Sequence, residues 1–219
     1  MTGYLEVEHC GQTLWLLADK AIYWPARHTL LVADVHIGKA ASYRALHQPV
    51  PRGTTDATLA RLDTLLATHD CKQLVILGDF FHARAARAPA MQARLRDWRR
   101  RHAALRIVLI RGNHDRHAGD PPADLAMEVV DEPWLLAPFA LQHEPVPHPD
   151  HPVLAGHVHP VYVLRGRARQ HLRLPCFLLD AQLSLLPAFG EFTGGWTVAP
   201  GTDTRVFVTG AGKVWALRG

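Results

Sequence analysis

Three apolar runs of strand length, each ending abruptly on a polar cluster, constrain this chain more than anything else in it. Thr29-Leu-Leu-Val-Ala33 runs into Asp34-Val-His36, Gln73-Leu-Val-Ile-Leu77 into Gly78-Asp79, and Arg106-Ile-Val-Leu-Ile110 into Arg111-Gly-Asn-His-Asp115. Apolar runs with no polar alternation belong to strands buried on both faces, as inside a parallel sheet. Helix-spaced segments separate them: 54–69, with Leu59, Leu62, Leu65 and Leu66 on one face, and 88–102, while a shorter helix is expected after Gly38 through Leu46. Strand, helix, strand, helix, strand predicts parallel strands with crossover helices, and such sheets bind ligands where their strands end. All three clusters fall at that edge.

The flanking sequence predicts other layers. Short strands at 4–8, 13–17 and 21–24 make an edge hairpin, and beyond Asp120 strands are expected at 127–130, 134–142, 153–155, 161–164, 172–179, 196–198, 205–209 and 214–217. Two sheets packed face to face, with helices outside the first and an option of helices outside the second, accommodate this change. A chain of 219 residues can bury one sizeable core, and no long polar linker divides it, so a single domain over 1–219 is expected. The Pro- and His-rich stretch 144–152 reads as an exposed loop. There is no basic leader and no run of about 20 apolar residues, which predicts a cytoplasmic protein with no membrane contact. Cys10, Cys71 and Cys176 form no C-x-x-C pair, so they read as buried free thiols rather than a disulfide or zinc framework.

Two further clusters follow apolar strands: a lone His143, and Gly156-His157-Val-His159. In Asp-x-His and His-x-His, alternate residues of an extended chain face one side, so both members can enter one pocket. Asp, Asn and His together are mixed oxygen and nitrogen donors without thiolate, suited to manganese or iron more than to structural zinc.

Taken together, the clusters resemble the calcineurin-like metallophosphoesterases, whose pattern D-x-H, G-D, G-N-H-D/E, H, G-H-x-H is matched from Asp34 to His159. The resemblance implies an α/β fold, a single-domain four-layer α/β/β/α sandwich, holding two divalent metal ions. Manganese is the ion expected, with iron or zinc as alternatives. Asp34, His36, Asp79 and His159 would hold one ion, and Asp79, Asn113, His143 and His157 the other, with Asp79 bridging. Water on the metals would attack phosphorus while His114 protonates the leaving oxygen as general acid. The run Gly78-Asp-Phe-Phe-His82 looks like the G-D-L-F-H of double-strand-break-repair nucleases, which implies that His82 sits beside the catalytic histidine.

Further segments, among them Gly38-Lys39-Ala40, Pro49-Val-Pro-Arg-Gly-Thr-Thr55 and His143-Glu-Pro145, are similar to the bacterial ligase-associated DNA damage response endonucleases. That resemblance implies a manganese-dependent phosphodiesterase acting on DNA, associated in function with a DNA ligase, a helicase and an exonuclease. The net charge of +4, with 20 arginines among 24 basic residues, permits an acidic partner without requiring one.

Other residues carry less. Arg44, Arg52 and Arg116 lie near the clusters in sequence and are candidates for binding phosphate. The arginines that crowd the 88–102 helix around Trp98 read as a solvated face with Trp98 and Leu95 turned to the core, contact with DNA being the alternative. Glu144 is a candidate to orient the His143 imidazole, and Asp115 to brace the loop beside it. Two rival functions stay open: a phosphoesterase for small nucleotides or nucleotide-sugars, and a binding scaffold that has lost catalysis.

Overall fold

The architecture was obtained as a computed structural model, which describes residues 3–45, 47, 53–166 and 170–217. A first sheet contains seven strands in sequence order: β1 (Tyr4–His9), β2 (Gln12–Leu17), β3 (Ala21–Trp24), β4 (Thr29–Ala33), β5 (Gln73–Leu77), β6 (Arg106–Ile110) and β7 (Glu128–Val130). The first four run antiparallel, as hairpins joined by short turns must; β4 to β7 run parallel. Between the parallel strands lie α1 (Lys39–Ala45), α2 (Thr54–Thr68), α3 (Pro89–Arg101) and α4 (Asn113–Ala118).

Alternation along β4, β5 and β6 explains why their sequences are apolar throughout. Leu30, Val32, Leu74, Ile76, Ile107 and Leu109 face the helices, packing on Leu59, Leu62 and Leu65 of α2 and Leu95 and Trp98 of α3. Their neighbours Leu31, Val75, Leu77 and Val108 face a second sheet and meet Phe139, Leu141, Leu154, Phe177 and Phe207 there. Burial on both faces removes any position where a polar residue would be tolerated.

The second sheet comprises β8 (Trp134–Leu136), β9 (Phe139–Gln142), β10 (Val153–Ala155), β11 (Pro160–Arg165), β12 (His171–Leu179), β13 (Leu183–Leu185), β14 (Trp196–Thr197), β15 (Arg205–Gly210) and β16 (Lys213–Ala216). Its order is β14-β11-β12-β13-β10-β9-β8, with β15 on β12 and β16 on β15. The long β12 serves two neighbourhoods, pairing β11 with its first half and β13 and β15 with its second. On its outer face Cys176, Leu178, Val206 and Val208 are covered by Tyr162, Leu174, Val198 and Leu217. Among the described residues no helix follows Leu125, so no described helix covers the outer face of the second sheet.

Three elements depart from the sequence expectation. The strand expected over 134–142 is a hairpin, β8 and β9, because Pro138 offers no N–H to a ladder and the chain reverses there, pairing Leu136 with Phe139. β13 was not expected; three residues carry too little periodicity, and it exists by parallel pairing to β10. The strand end at Asn113 opens directly into the short helix α4.

Candidate metal centre

Donor side chains from both sheets converge because the strands stop level with one another. Ala33, Leu77 and Ile110 end β4, β5 and β6 in register, delivering Asp34, Asp79 and Asn113 to one edge. In the second sheet Gln142 and Ala155 end β9 and β10 in register, delivering His143 and His157, and His159 immediately precedes β11. At these ends the chain turns at once through left-handed backbone, with φ of 53° at Asp34, 50° at His36, 51° at Asp79, 67° at His157 and 51° at His159. Such residues cost about 1–3 kcal/mol each and persist where surrounding contacts over-determine them. Here the His157 N–H donates to Asp34 Oδ2 at 2.9 Å and the His114 N–H to Asp79 Oδ1 at 2.9 Å. Glycine is required at Gly78 and Gly112 for close approach: a Cβ would overlap the His143 ring at the first and the Asp79 carboxylate at the second.

Two groups of donors share Asp79. On one side His159 Nε2 lies 3.4 Å from Asp34 Oδ1 and 3.3 Å from His36 Nε2, which is 3.8 Å from Asp79 Oδ2. On the other, His143 Nε2 lies 3.5 Å from Asp79 Oδ1, 2.8 Å from Asn113 Oδ1 and 3.0 Å from His157 Nδ1. Proton placement follows from the outer contacts. His143 Nδ1–H donates to Leu77 O at 3.1 Å and His159 Nδ1–H to Thr193 O at 3.0 Å, which turns each Nε2 inward. These inward nitrogens meet carboxylate and amide oxygens and other ring nitrogens at 2.8 to 3.5 Å. Asp34 Oδ1 is buried without a hydrogen-bond partner among the described residues. Burial holds His36 well below the ordinary imidazole range, keeping it neutral, and burial with the neighbouring Asp34 charge pushes Asp79 up. A cation answers each of these features, so the residues fit divalent metal ions.

His114 stands at the open side, its side chain 38% exposed. Its Nδ1–H donates to His82 O at 2.9 Å, turning Nε2 toward Asp79 Oδ2 at 3.9 Å, and its ring stacks on His82 with centroids 4.9 Å apart. Burial, aided by Lys39 and His114, lowers the His82 pKa to about 4.

The profile of the calcineurin-like phosphoesterase family matches residues 27–147, more than half of the chain. The chain belongs to that family. This phosphoesterase is metal-dependent, and the non-catalytic scaffold is set aside on that ground. The crystal structure of the Pseudomonas putida nuclease MPE is similar over 98% of this chain and 100% of its own, with 67% identity and a TM-score of 0.88. Yfce, a phosphoesterase from E. coli, aligns over 82% of this chain and 86% of its own at 16% identity and a TM-score of 0.38, too distant to inform the reading. No curated protein matches in sequence.

Around the phosphoesterase site the supporting residues differ in part from expectation. Asp115 is buried and accepts the N–H groups of Phe80 at 3.2 Å, Phe81 at 2.9 Å and Gly112 at 3.1 Å, bracing the Asp79 loop against the Asn113 loop. Glu144 is exposed and does not orient His143; the Leu77 carbonyl holds the ring, and Glu132 accepts the backbone N–H of His143 at 2.7 Å and Glu144 at 2.9 Å. Glu132 lies eleven residues before His143 and carries no motif, so sequence reasoning missed it. Arg116 reaches Glu132 at 3.5 Å, Arg44 is exposed on α1, and Arg52 lies outside the described residues. On α3, Arg94, Arg96, Arg100 and Arg101 pair with Asp56, Asp124, Asp97 and Asp63, and Arg99 donates to Leu125 O, while Trp98 and Leu95 are buried. The arginines of that helix are ion-paired at the surface while Trp98 and Leu95 turn to the core, the side expected for them. No described helix is long and apolar enough to cross a membrane.

Proposed function

We propose that this phosphoesterase is a two-metal phosphodiesterase that cuts DNA, acting in the cytoplasm in DNA repair. Asp34, His36, Asp79 and His159 hold one ion and Asp79, Asn113, His143 and His157 the other. The carrying observation is Asp79, whose two carboxylate oxygens face the two groups, Oδ2 toward His36 and Oδ1 toward His143. Manganese is the ion this oxygen and nitrogen set favours, with iron or zinc as alternatives. Bound ions would supply an activated water and offset charge building on the phosphate oxygens. His114, its Nδ1–H committed to His82 O, holds a proton at Nε2 and delivers it to the leaving oxygen. His82 positions that ring by its carbonyl and by stacking. Arg44, Arg52 and Arg116 are assigned to flanking phosphates.

DNA as the substrate is supported by the 67% identical Pseudomonas putida protein, which is a nuclease. Functional association with a DNA ligase, a helicase and an exonuclease belongs to the same proposal and rests on the resemblance of the sequence to ligase-associated endonucleases. Hydrolysis of bis-p-nitrophenyl phosphate and of supercoiled plasmid by manganese-loaded protein tests it, with His114→Ala and Asp79→Asn as controls. Both substrates should be cut, and both variants should lose at least about 100-fold in turnover, the usual weight of a general acid. Turnover of the small ester alone overturns the assignment to DNA.

A further inference from the structure

Lys39 follows His36 by three residues and opens α1, yet only 7% of it is exposed. Its backbone is held firmly: Gly38, at φ 86°, turns the chain into α1 so close to Ala86 that a Cβ there would lie 2.9 Å from the Ala86 Cβ. The ammonium passes 5.9 Å from the Tyr43 ring centroid and has no hydrogen-bond or ion-pair partner among the described residues. It borders a narrow cavity beside His36 that is also lined by Thr54, Thr55, Thr58 and Glu191. Glu191, the one acid on that lining, is taken by Arg61 and Lys20. The amino end of α2, which no side chain caps, faces the same cavity and adds positive potential.

The nearest carboxylates do not answer the charge either. Asp34 and Asp79 act on Lys39 through space, but neither comes within ion-pair distance, and both are spent once they hold metal. The stem of Lys39 is buried while Nζ still meets solvent, so an anionic ligand oxygen can take the place of the water it meets there. We propose that Lys39 is a phosphate-binding residue of this active site, its ammonium donating to a non-bridging oxygen of the phosphodiester beside Asp34, His36, Asp79 and His159. The inference rests on the phosphodiesterase reading and not on DNA being the substrate.

Lys39→Met keeps the length and apolar stem while removing the charge, and inorganic phosphate is the probe. Calorimetric titration of phosphate into manganese-loaded protein should give a Kd raised about 10-fold or more in Lys39→Met, in keeping with the loss of a charge-assisted hydrogen bond. Metal content per chain and the thermal melt should match wild type, and KM for bis-p-nitrophenyl phosphate should rise more than kcat falls. In Lys39→Ala, added methylammonium should restore part of the turnover, which a purely structural lysine does not predict. Unchanged phosphate affinity in Lys39→Met, or loss of metal from it, overturns the inference alone. A wild-type protein that turns over no phosphodiester overturns the inference together with the reading beneath it.

Discussion

Single side chains in this protein act through which of their two nitrogens or oxygens is already committed. His114 and His82 illustrate it: the group that orients His114 is the His82 carbonyl, which any residue would supply. His82→Ala should therefore lose stacking but keep that hydrogen bond, and its turnover should fall less than that of His114→Ala when both are measured on the same ester. His9, far from the site, shows the same logic in stability. Its Nδ1 accepts from Arg205 at 3.3 Å, so Nε2–H donates to Ser184 Oγ at 2.9 Å, and a second ring proton would face the guanidinium. Burial first, then Arg205, lowers its pKa from the ordinary 6.5 to about 4. Between those values the unfolded chain holds the extra proton, so the contribution of His9 is full above about pH 6.5 and is lost as pH falls toward 4, up to about 3 kcal/mol. Thermal melts of wild type and His9→Gln across that range should show a shallower slope in the variant; equal slopes would refute the assignment. The donor residues themselves were legible in the sequence, since type and alternate spacing alone single out Asp34, His36, His157 and His159. Lys39 and Glu132 were not, because a lysine or glutamate acquires its role from where it is buried.

Among the elements, the loops after β5 and β6 form one unit. Asp115, in the first turn of α4, reaches back across the sheet edge to three N–H groups on both loops. Removing the carboxylate leaves these buried donors unsatisfied, at about 1–3 kcal/mol each. Asp115→Ala should thus melt lower by about 6–12 °C, taking a loss near 3 kcal/mol and about 2–4 °C per kcal/mol for a chain of this length. A melt within 2 °C of wild type, about what surface substitutions cause, would show that the brace is dispensable. β4, β5 and β6 matched their sequence runs residue for residue because two covering layers leave an unbroken apolar signal. β8, β9 and β13 did not, since an edge hairpin and a three-residue strand are defined by their partners rather than by periodicity.

Across the whole molecule the site is a seam. Asp34, Asp79 and Asn113 come from the first sheet and His143, His157 and His159 from the second, so metal held by them as proposed would tie the two sheets together at their common edge. Ligands that bind only the folded state stabilise it by mass action, about 4 kcal/mol at a thousandfold excess over Kd. Chelation of the metal-loaded protein should abolish hydrolysis and lower Tm together, and restoring manganese should recover both; loss of activity with no shift in Tm would mean that the metals do not bridge the sheets. The sequence by itself determined the buried parallel strands, the helices between them and the donor types at the strand ends, because each is a local pattern enforced by burial or by spacing. Only the tertiary structure decided the order of the second sheet, the sharing of Asp79 between two donor groups and the placing of Lys39 beside them. Those properties depend on distances between residues far apart in the chain, which no local pattern encodes.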